Sequence, residues 1–239
     1  MRPDILFMSF LILLALFVGC FRHFSGLYKV LGSKTTELAS DQFCITEDSL
    51  DIKVGKYQLI DSVYKPIDLV LLANLGIPTA GQQYLRQPAG LALKKLEDNL
   101  SQELGLTLYV ISSYRSASLQ EETKRIFENL IGKKSDRRVA DPGHSEHQLG
   151  TTVDFSLSNG KLFDTSSREW QWLANNTYKY GFVMSYGPEN QTLSGFDYEP
   201  WHWRYVGEVL AGRIKNSGQV PQYFYREKGC YIRRPKTPN

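Results

Sequence analysis

The chain has 239 residues, of which 42% are hydrophobic and 22% are charged, and Lys and Arg together outnumber Asp and Glu by 28 to 25. This length is typical of one domain, or of one domain with a short additional segment. The composition excludes a largely disordered chain, a collagen-like repeat and a polytopic membrane protein. Because the positive charges are scattered and nucleic-acid binding needs a concentrated basic face, no nucleic-acid partner is expected.

The first segment is apolar, since residues 5–21 contain no charged side chain. These 17 residues are at the short limit for a membrane-spanning helix, and they also suit the hydrophobic region of a secretory signal. Val18-Gly19-Cys20 resembles a bacterial lipobox, in which Cys20 would be lipidated. We therefore expect residues 1–23 to be a lipoprotein signal or an uncleaved anchor that holds the protein at a membrane, outside the cytoplasm.

Two further cysteines, Cys44 and Cys230, lie near the two ends of the exported portion. In an oxidising compartment they could form a disulfide, and the alternative is two unpaired thiols. No Cys-x-x-Cys motif occurs, so a thiolate zinc site or a thioredoxin-like motif is not expected. Residues 24–58 are predicted to be a stalk or an irregular arm.

The first half of the body is predicted to form a helix, a strand and a second helix. Leucines recur every three or four residues over 90–104, which indicates an amphipathic helix, and residues 106–114 have the composition of a buried strand. The capping box Ser118-x-x-Glu121 predicts the start of a second helix, which ends before Gly132. One apolar face of that helix consists of Ile126, Phe127, Leu130 and Ile131. Tyr114-Arg115-Ser116 therefore lies at a strand-to-helix junction, where side chains can point into a cleft.

The second half begins with a polar loop over residues 133–145. Apolar and polar residues alternate over 151–157 and again over 200–207, which predicts two strands. A capping box, Ser166-x-x-Glu169, predicts a helix between them, and a final helix is expected after the second strand. Helices and strands are mixed without a βαβαβ rhythm. The sequence therefore predicts an α+β domain with a mostly antiparallel sheet and flanking helices.

Two short polar segments carry the residues suited to metal chemistry. A catalytic zinc ion needs three nitrogen or carboxylate ligands and an open position, and His147, Asp154 and His202 meet this requirement. The chain can turn at Gly150 between the first two, and Glu199 is the candidate base for proton transfer. The alternative is that these are ordinary hydrogen-bonded residues on strand faces. Such ligands also suit manganese and other divalent ions.

Three separated motifs, in this order, resemble the VanY-type D-alanyl-D-alanine carboxypeptidases, a family that includes L,D-carboxypeptidases acting on cell-wall tetrapeptides. The motifs are Ser113-Tyr114-Arg115-Ser116, Ser145-x-His147-x-x-Gly150-x-x-x-Asp154 and Glu199-x-Trp201-His202. The likeness extends from about residue 59 to about residue 207. It implies a zinc carboxypeptidase domain, which we place at residues 59–235.

The resemblance also implies a role for each matching residue. His147, Asp154 and His202 would hold one zinc ion, with Glu199 as the general base. Arg115 and Ser145 would receive the C-terminal carboxylate of a peptide, because a guanidinium pairs well with a carboxylate. The remaining residues of the implied pocket are Gln120, Tyr186 and Trp201. Glu146 would lie beside the site or on the surface.

Two positions depart from the family pattern. Thr152 stands where relatives usually have a small Ala, and Ser185-Tyr186-Gly187 stands where they commonly have Arg-Tyr-Pro. Neither change affects a proposed metal ligand or the proposed base.

The expected substrate is the stem peptide of peptidoglycan, which would lose its C-terminal D-alanine. D,D-cleavage of a pentapeptide is favoured, and the alternatives are L,D-cleavage of a tetrapeptide, an endopeptidase and a non-catalytic wall-binding module. Glu199 argues against the module, and Arg115 argues against the endopeptidase. The expected location is the bacterial cell envelope, with the membrane contacted through the N-terminal segment, and no protein partner is implied.

Overall fold

A computed structural model of the chain describes residues 42–157 and 165–232. Within these ranges the chain divides into two compact units, a small one of residues 42–44 and 229–232 and a larger one of residues 45–157 and 165–228. The predicted signal or anchor, with Cys20, lies outside the described residues. Among the residues that are described, no helix is long and apolar enough to cross a bilayer.

Eight strands and five α-helices are described. The strands are β1 (Gln42–Ile45), β2 (Leu69–Leu71), β3 (Tyr84–Arg86), β4 (Leu108–Ser112), β5 (Thr152–Leu157), β6 (Phe182–Met184), β7 (His202–Tyr205) and β8 (Gly229–Ile232). The helices are α1 (Gln87–Leu104), α2 (Ala117–Ile131), α3 (Arg168–Asn176), α4 (Gln191–Ser194) and α5 (Glu208–Ser217). Short 3₁₀ helices connect several of them, and those at Gly132–Arg137 and Glu146–Leu149 adjoin the site described below.

In the small unit, β1 pairs with β8. A disulfide joins Cys44 to Cys230, which are 186 positions apart in the sequence. The rings of Phe43 and Tyr231 stack beside it, with centroids 5.5 Å apart. This is the pairing that the sequence leaves open.

The larger unit is built around a four-stranded sheet with the order β4-β5-β7-β6, in which neighbouring strands are antiparallel. Alternation in β5 sends Val153 and Phe155 into the apolar core, where they meet leucines of α1. Asp154, on the opposite face, is the direct cross-strand partner of His202 in β7. The antiparallel α+β architecture predicted from the sequence is therefore confirmed, and its register brings two predicted zinc ligands together.

The helix starts differ from the prediction by one or two residues. Ser116, not Ser118, caps α2, and its Oγ accepts a hydrogen bond from the backbone N–H of Leu119 at 3.2 Å. Ser167, not Ser166, caps α3 through the N–H of Trp170. In both cases the cap has an extended backbone, which the conformation of an N-cap requires. The predicted capping boxes are therefore wrong, although both helices exist.

The faces of α2 are reversed relative to an ordinary amphipathic helix. It buries Gln120 and Lys124, which are 1% and 8% exposed, while its apolar side chains lie at the surface. Lys124 Nζ pairs with Asp136 at 2.7 Å and with Asp141 at 3.3 Å. Both carboxylates lie in the segment predicted as a polar loop, whose start is helical in the structure, at Gly132–Arg137.

Candidate active site

His147 is presented by a tight turn before β5. Ser145 caps the 3₁₀ helix Glu146–Leu149, and its Oγ accepts a hydrogen bond from the N–H of His147. Gly150 ends the turn with φ of +67°, and a Cβ there would come within 3.0 Å of two neighbouring side chains, so glycine is required on both grounds. Nδ1 of His147 lies 2.7 Å from the carbonyl oxygen of Ser113. Since a carbonyl only accepts, Nδ1 carries the proton and Nε2 is left as a free donor atom for a metal.

The three predicted ligands converge. Nε2 of His147 lies 3.3 Å from Oδ2 of Asp154, and Nδ1 of His202 lies 3.1 Å from Oδ1 of the same carboxylate. One atom from each residue lies within 4.8 Å of the others. Although Oδ1 of Asp154 is buried, it accepts no hydrogen bond of good geometry from the described residues. Two imidazoles and a carboxylate whose lone pairs face one point are a donor set that suits zinc.

The buried carboxylate of Glu146 contacts His202 at Nε2, the ring nitrogen that does not face Asp154. Oε2 of Glu146 lies 3.1 Å from Nε2 of His202 and accepts a hydrogen bond from Oγ of Ser185, while Oε1 pairs with the guanidinium of Arg204 at 3.0 Å. Glu146 is 2% exposed and Arg204 is fully buried. The hydrogen bond at Nε2 turns Nδ1 of His202 toward Asp154, as neighbours of a metal-binding histidine commonly do.

Arg204 is the residue that sequence reasoning missed. It lies two positions after His202 on the same strand, so the alternation of β7 places it on the face of the sheet that carries His202. Its Nη2 donates to the carbonyl oxygens of Leu50 and Ile52. The alternation of side chains in β7 could have indicated that Arg204 shares a face with His202. Its partner, Glu146, is 58 positions away in the sequence, and only the fold brings the two together.

Glu199 enters the site from the segment before β7. Its Oε2 lies 3.5 Å from Nδ1 of His202, and its backbone N–H is held by the carbonyl oxygen of Tyr186. Burial raises the pKa of Glu199 to about 7, against the opposing effect of His202. A carboxyl group whose pKa lies near neutrality can both accept and release a proton at physiological pH, which is the property of a general acid–base group.

The two histidines titrate in opposite directions. Burial, with the nearby charge of Arg115, lowers the pKa of His147 to about 4. Burial would also lower the pKa of His202, but the adjacent carboxylates of Asp154 and Glu146 outweigh it and raise this pKa to about 10. The neighbouring carboxylates therefore keep a proton on His202, and binding of a metal ion by this histidine would release that proton.

Arg115 forms the positive wall of the same cavity. It lies three residues after the end of β4, and its backbone N–H donates to the carbonyl oxygen of His147. Burial lowers the pKa of its guanidinium, while the charges of Asp154 and Glu199 oppose this effect. Nε of Arg115 is buried and has no hydrogen-bond partner among the described residues. A planar donor left unpaired beside the metal ligands is suited to an anionic group of a ligand.

All nine predicted site residues line a single cavity of about 150 Å³. Gln120 donates to the carbonyl oxygen of Ala140, and its Oε1 has no partner among the described residues. The ring of Tyr186 lies 4.6 Å from that of His202, between centroids. Trp201 is half-buried at the edge. The cavity also contains residues that the sequence motifs did not indicate, namely Thr123, Phe127, Arg138, Val139, Ala140 and Phe196.

Residues 82–208 match the family described as VanY, D-alanyl-D-alanine carboxypeptidase. The chain belongs to this family. The Bacillus subtilis (strain 168) protein YodJ is 33% identical over 218 residues, which are 87% of this chain and 76% of that protein.

Solved structures agree with this assignment. The LdcB LD-carboxypeptidase is 30% identical, with a TM-score of 0.67 over 76% of this chain and 89% of that chain. A vancomycin resistance D,D-pentapeptidase VanY, solved in complex with Zn(II), is 27% identical, with a TM-score of 0.61 over 74% of this chain and 98% of that chain. With the His-Asp-His donor set, these findings make this VanY-family protein a zinc-dependent metallocarboxypeptidase.

Proposed function

We propose that this enzyme removes the C-terminal D-alanine from peptidoglycan stem peptides, and that pentapeptides ending in D-alanyl-D-alanine are its preferred substrates. The family description and the VanY relatives support the substrate class. In this proposal His147, Asp154 and His202 hold the zinc ion, and the disulfide of Cys44 and Cys230 matches an oxidising compartment.

The observation that carries the proposal is the buried, unpaired Nε of Arg115 in the cavity that contains the zinc ligands. A terminal carboxylate is the substrate group that such a guanidinium would bind, with the hydroxyl of Ser145 beside it. An endopeptidase has no terminal carboxylate to bind at this point. Arg115 therefore favours removal of a terminal residue over cleavage within a chain.

When bound, zinc supplies Lewis-acid polarisation of a carbonyl and activation of water. Glu199 takes a proton from the attacking water as the new C–O bond forms, and it delivers that proton to the amine nitrogen as the C–N bond breaks. The raised pKa of Glu199 suits this double role at neutral pH. Arg115 holds the departing D-alanine by its carboxylate, while Tyr186 and Trp201 shield the scissile bond from bulk water.

A second candidate is L,D-cleavage of the tetrapeptide. The likeness to the LdcB LD-carboxypeptidase favours it. The two activities differ in the configuration of the residue before the scissile bond, which the walls around Gln120 and Tyr186 would select.

We also propose a location in the bacterial cell envelope, with attachment to the membrane through the apolar segment over residues 5–21. A tethered enzyme on the outer side of the membrane would meet its substrate there. Lipidation of Cys20 and an uncleaved anchor are the two forms of attachment that the sequence supports.

The deciding experiment incubates the full chain, purified in detergent and loaded with zinc, with muropeptides ending in tetrapeptide or pentapeptide, followed by mass spectrometry. Loss of one alanine from the pentapeptide alone establishes D,D activity, and loss from the tetrapeptide establishes L,D activity. A chelator and Glu199→Gln are the controls. If neither peptide is shortened by the zinc-loaded protein, the proposed substrate is wrong.

A further inference from the structure

The surface of α2 carries an apolar stripe that residues 42–157 and 165–232 leave uncovered. Leu119, Ile126 and Leu130 are 47%, 47% and 72% exposed, and their spacing places them along one side of the helix. Ile131 and Phe127 border them at 39% and 36% exposure. We call these five residues the outer face of α2. A contiguous apolar face on a surface helix marks a contact with another phase or molecule.

The exposure of this face is enforced by polar contacts on the other side of the helix. Gln120 donates to the carbonyl oxygen of Ala140, and Lys124 pairs with Asp136 and Asp141. Rotating α2 to bury its leucines would break these contacts and leave polar groups unsatisfied, which is costly in a buried environment. The outward orientation is therefore a stable property of the fold.

Positive charge lies at the C-terminal end of this face. Lys133 and Lys134 follow Ile131 closely, and both are exposed. Arg137 and Arg138 come next, and both pair with Asp197. The two arginines are thus already paired, and Lys133 and Lys134 carry the positive charge at this end. An apolar helix face with lysines at its margin is typical of helices that lie in the interface of an anionic bilayer.

We propose that the outer face of α2 docks on the surface of a lipid bilayer. The charge at its end complements anionic headgroups, and a shallow layer of lipid matches a stripe one helix wide. The same chain contains the uncharged apolar segment over residues 5–21, so a bilayer is the surface that its sequence already places nearby. A second copy of the chain is the other occupant that could cover the stripe, and the experiment below distinguishes it from a bilayer.

Docking in this way would orient the enzyme. Phe127 and Thr123 of α2 also line the catalytic cavity, so the cavity opens beside the docked face. A peptide carried on a lipid anchor would then reach Arg115 and the metal ligands without leaving the membrane surface. This consequence rests on the proposed substrate, whereas the docking rests only on the proposed membrane location.

The test uses the full chain reconstituted in anionic vesicles, with one tryptophan placed on the helix by Leu130→Trp. The matched control is Val209→Trp, on α5, because Val209 is an equally apolar surface residue that is 81% exposed. Lipids brominated at shallow positions quench tryptophan that lies about 5–10 Å into the interface. Quenching is measured relative to the unsubstituted chain, whose four tryptophans provide the background. The signal is local to α2, so attachment through residues 5–21 does not produce it.

We expect the fluorescence added by Leu130→Trp to be quenched and that added by Val209→Trp to be unaffected. Lys133→Gln and Lys134→Gln should each weaken engagement of α2 with anionic vesicles about fivefold, with less effect on zwitterionic vesicles. Equal quenching at both positions overturns the proposal. It is also overturned if the detergent-free chain sediments as a dimer that Leu130→Glu dissociates, since the face then contacts a second copy. None of these measurements requires turnover, so a wrong substrate assignment does not affect them.

Discussion

The two long helices of the larger unit bury opposite kinds of side chain. Leu93, Leu96 and Leu100 of α1 are fully buried in the apolar core, whereas α2 buries Gln120 and Lys124 and exposes its aliphatic residues. The difference follows from what each helix faces, since α1 covers the core side of the sheet and α2 borders the catalytic cavity. We therefore expect changes beneath α1 to alter stability and changes in the cavity to alter chemistry.

The largest effect is expected at the centre of the cavity. Glu199→Gln keeps the shape of the side chain but removes its ability to accept a proton, so kcat should fall by about 10²- to 10⁴-fold. The thermal midpoint should be nearly unchanged, because the substitution adds no cavity. Steady-state kinetics on the preferred muropeptide, with a melting curve on the same preparation, checks both statements. A Glu199→Gln variant with a lower thermal midpoint and an unchanged kcat would contradict the expectation that changes in the cavity alter chemistry and not stability.

The opposite pattern is expected in the core. Leu96→Ala leaves a cavity among buried residues and should lower the free energy of unfolding by about 2–5 kcal/mol. Leu91→Ala, on the exposed side of the same helix, is the matched control and should stay within about 0.5 kcal/mol of the parent chain. Denaturant titration measures both, and kcat/KM at a temperature where both variants are folded should equal that of the parent chain.

Glu146 affects both the chemistry and the stability of the protein. It orients His202 and also neutralises the buried Arg204. Glu146→Gln should weaken zinc binding by about 10- to 100-fold and should also lower stability, since a buried charge loses its partner. Competition with a chromogenic chelator gives the affinity. Ser185→Ala removes one hydrogen bond to Glu146 and leaves its charge, so it separates the two effects. Unchanged zinc affinity in both variants would show that Glu146 has no part in holding His202.

The smallest effect concerns pH and lies in α1. Burial raises the pKa of Glu97, although its carboxylate accepts a hydrogen bond from the N–H of Leu108. The folded protein therefore holds this proton to higher pH than the unfolded chain, and the free energy of unfolding falls as pH rises from the usual value for Glu to the raised one. Glu97→Gln should make the thermal midpoint less dependent on pH across that interval. An unaltered or steeper dependence would show that Glu97 is not shifted in this direction.

Much of the site could be predicted from the sequence because its groups are encoded locally. The spacing from His147 to Asp154 fits one turn and the first residues of a strand, and alternation in β5 separates Asp154 from the core residues beside it. The sequence and the family resemblance together named nine of the fifteen residues that line the cavity, including the three metal ligands. The helix caps were less predictable, because several serines precede each helix and the backbone conformation selects one of them.

Other parts depended on contacts between distant segments. The strands β2, β3 and β6 have only three residues each, too few for a periodic signal. The pairing of Glu146 with Arg204 joins residues 58 positions apart. Hydrophobic periodicity identified an apolar face on α2, but periodicity carries no information about whether a face is covered.

By itself, the sequence determined which chemical groups are present and in which order: two imidazoles, two carboxylates and a guanidinium, each at the end of a local element. Their types and spacing indicated a metal site, and the family resemblance implied metal-assisted hydrolysis. Tertiary structure alone decided which nitrogen of His202 faces Asp154, and it decided that α2 turns its leucines outward. Both depend on long-range partners, Glu146 in one case and Asp136 with Asp141 in the other, and the free energy of burying charged and polar groups is settled only when those partners meet.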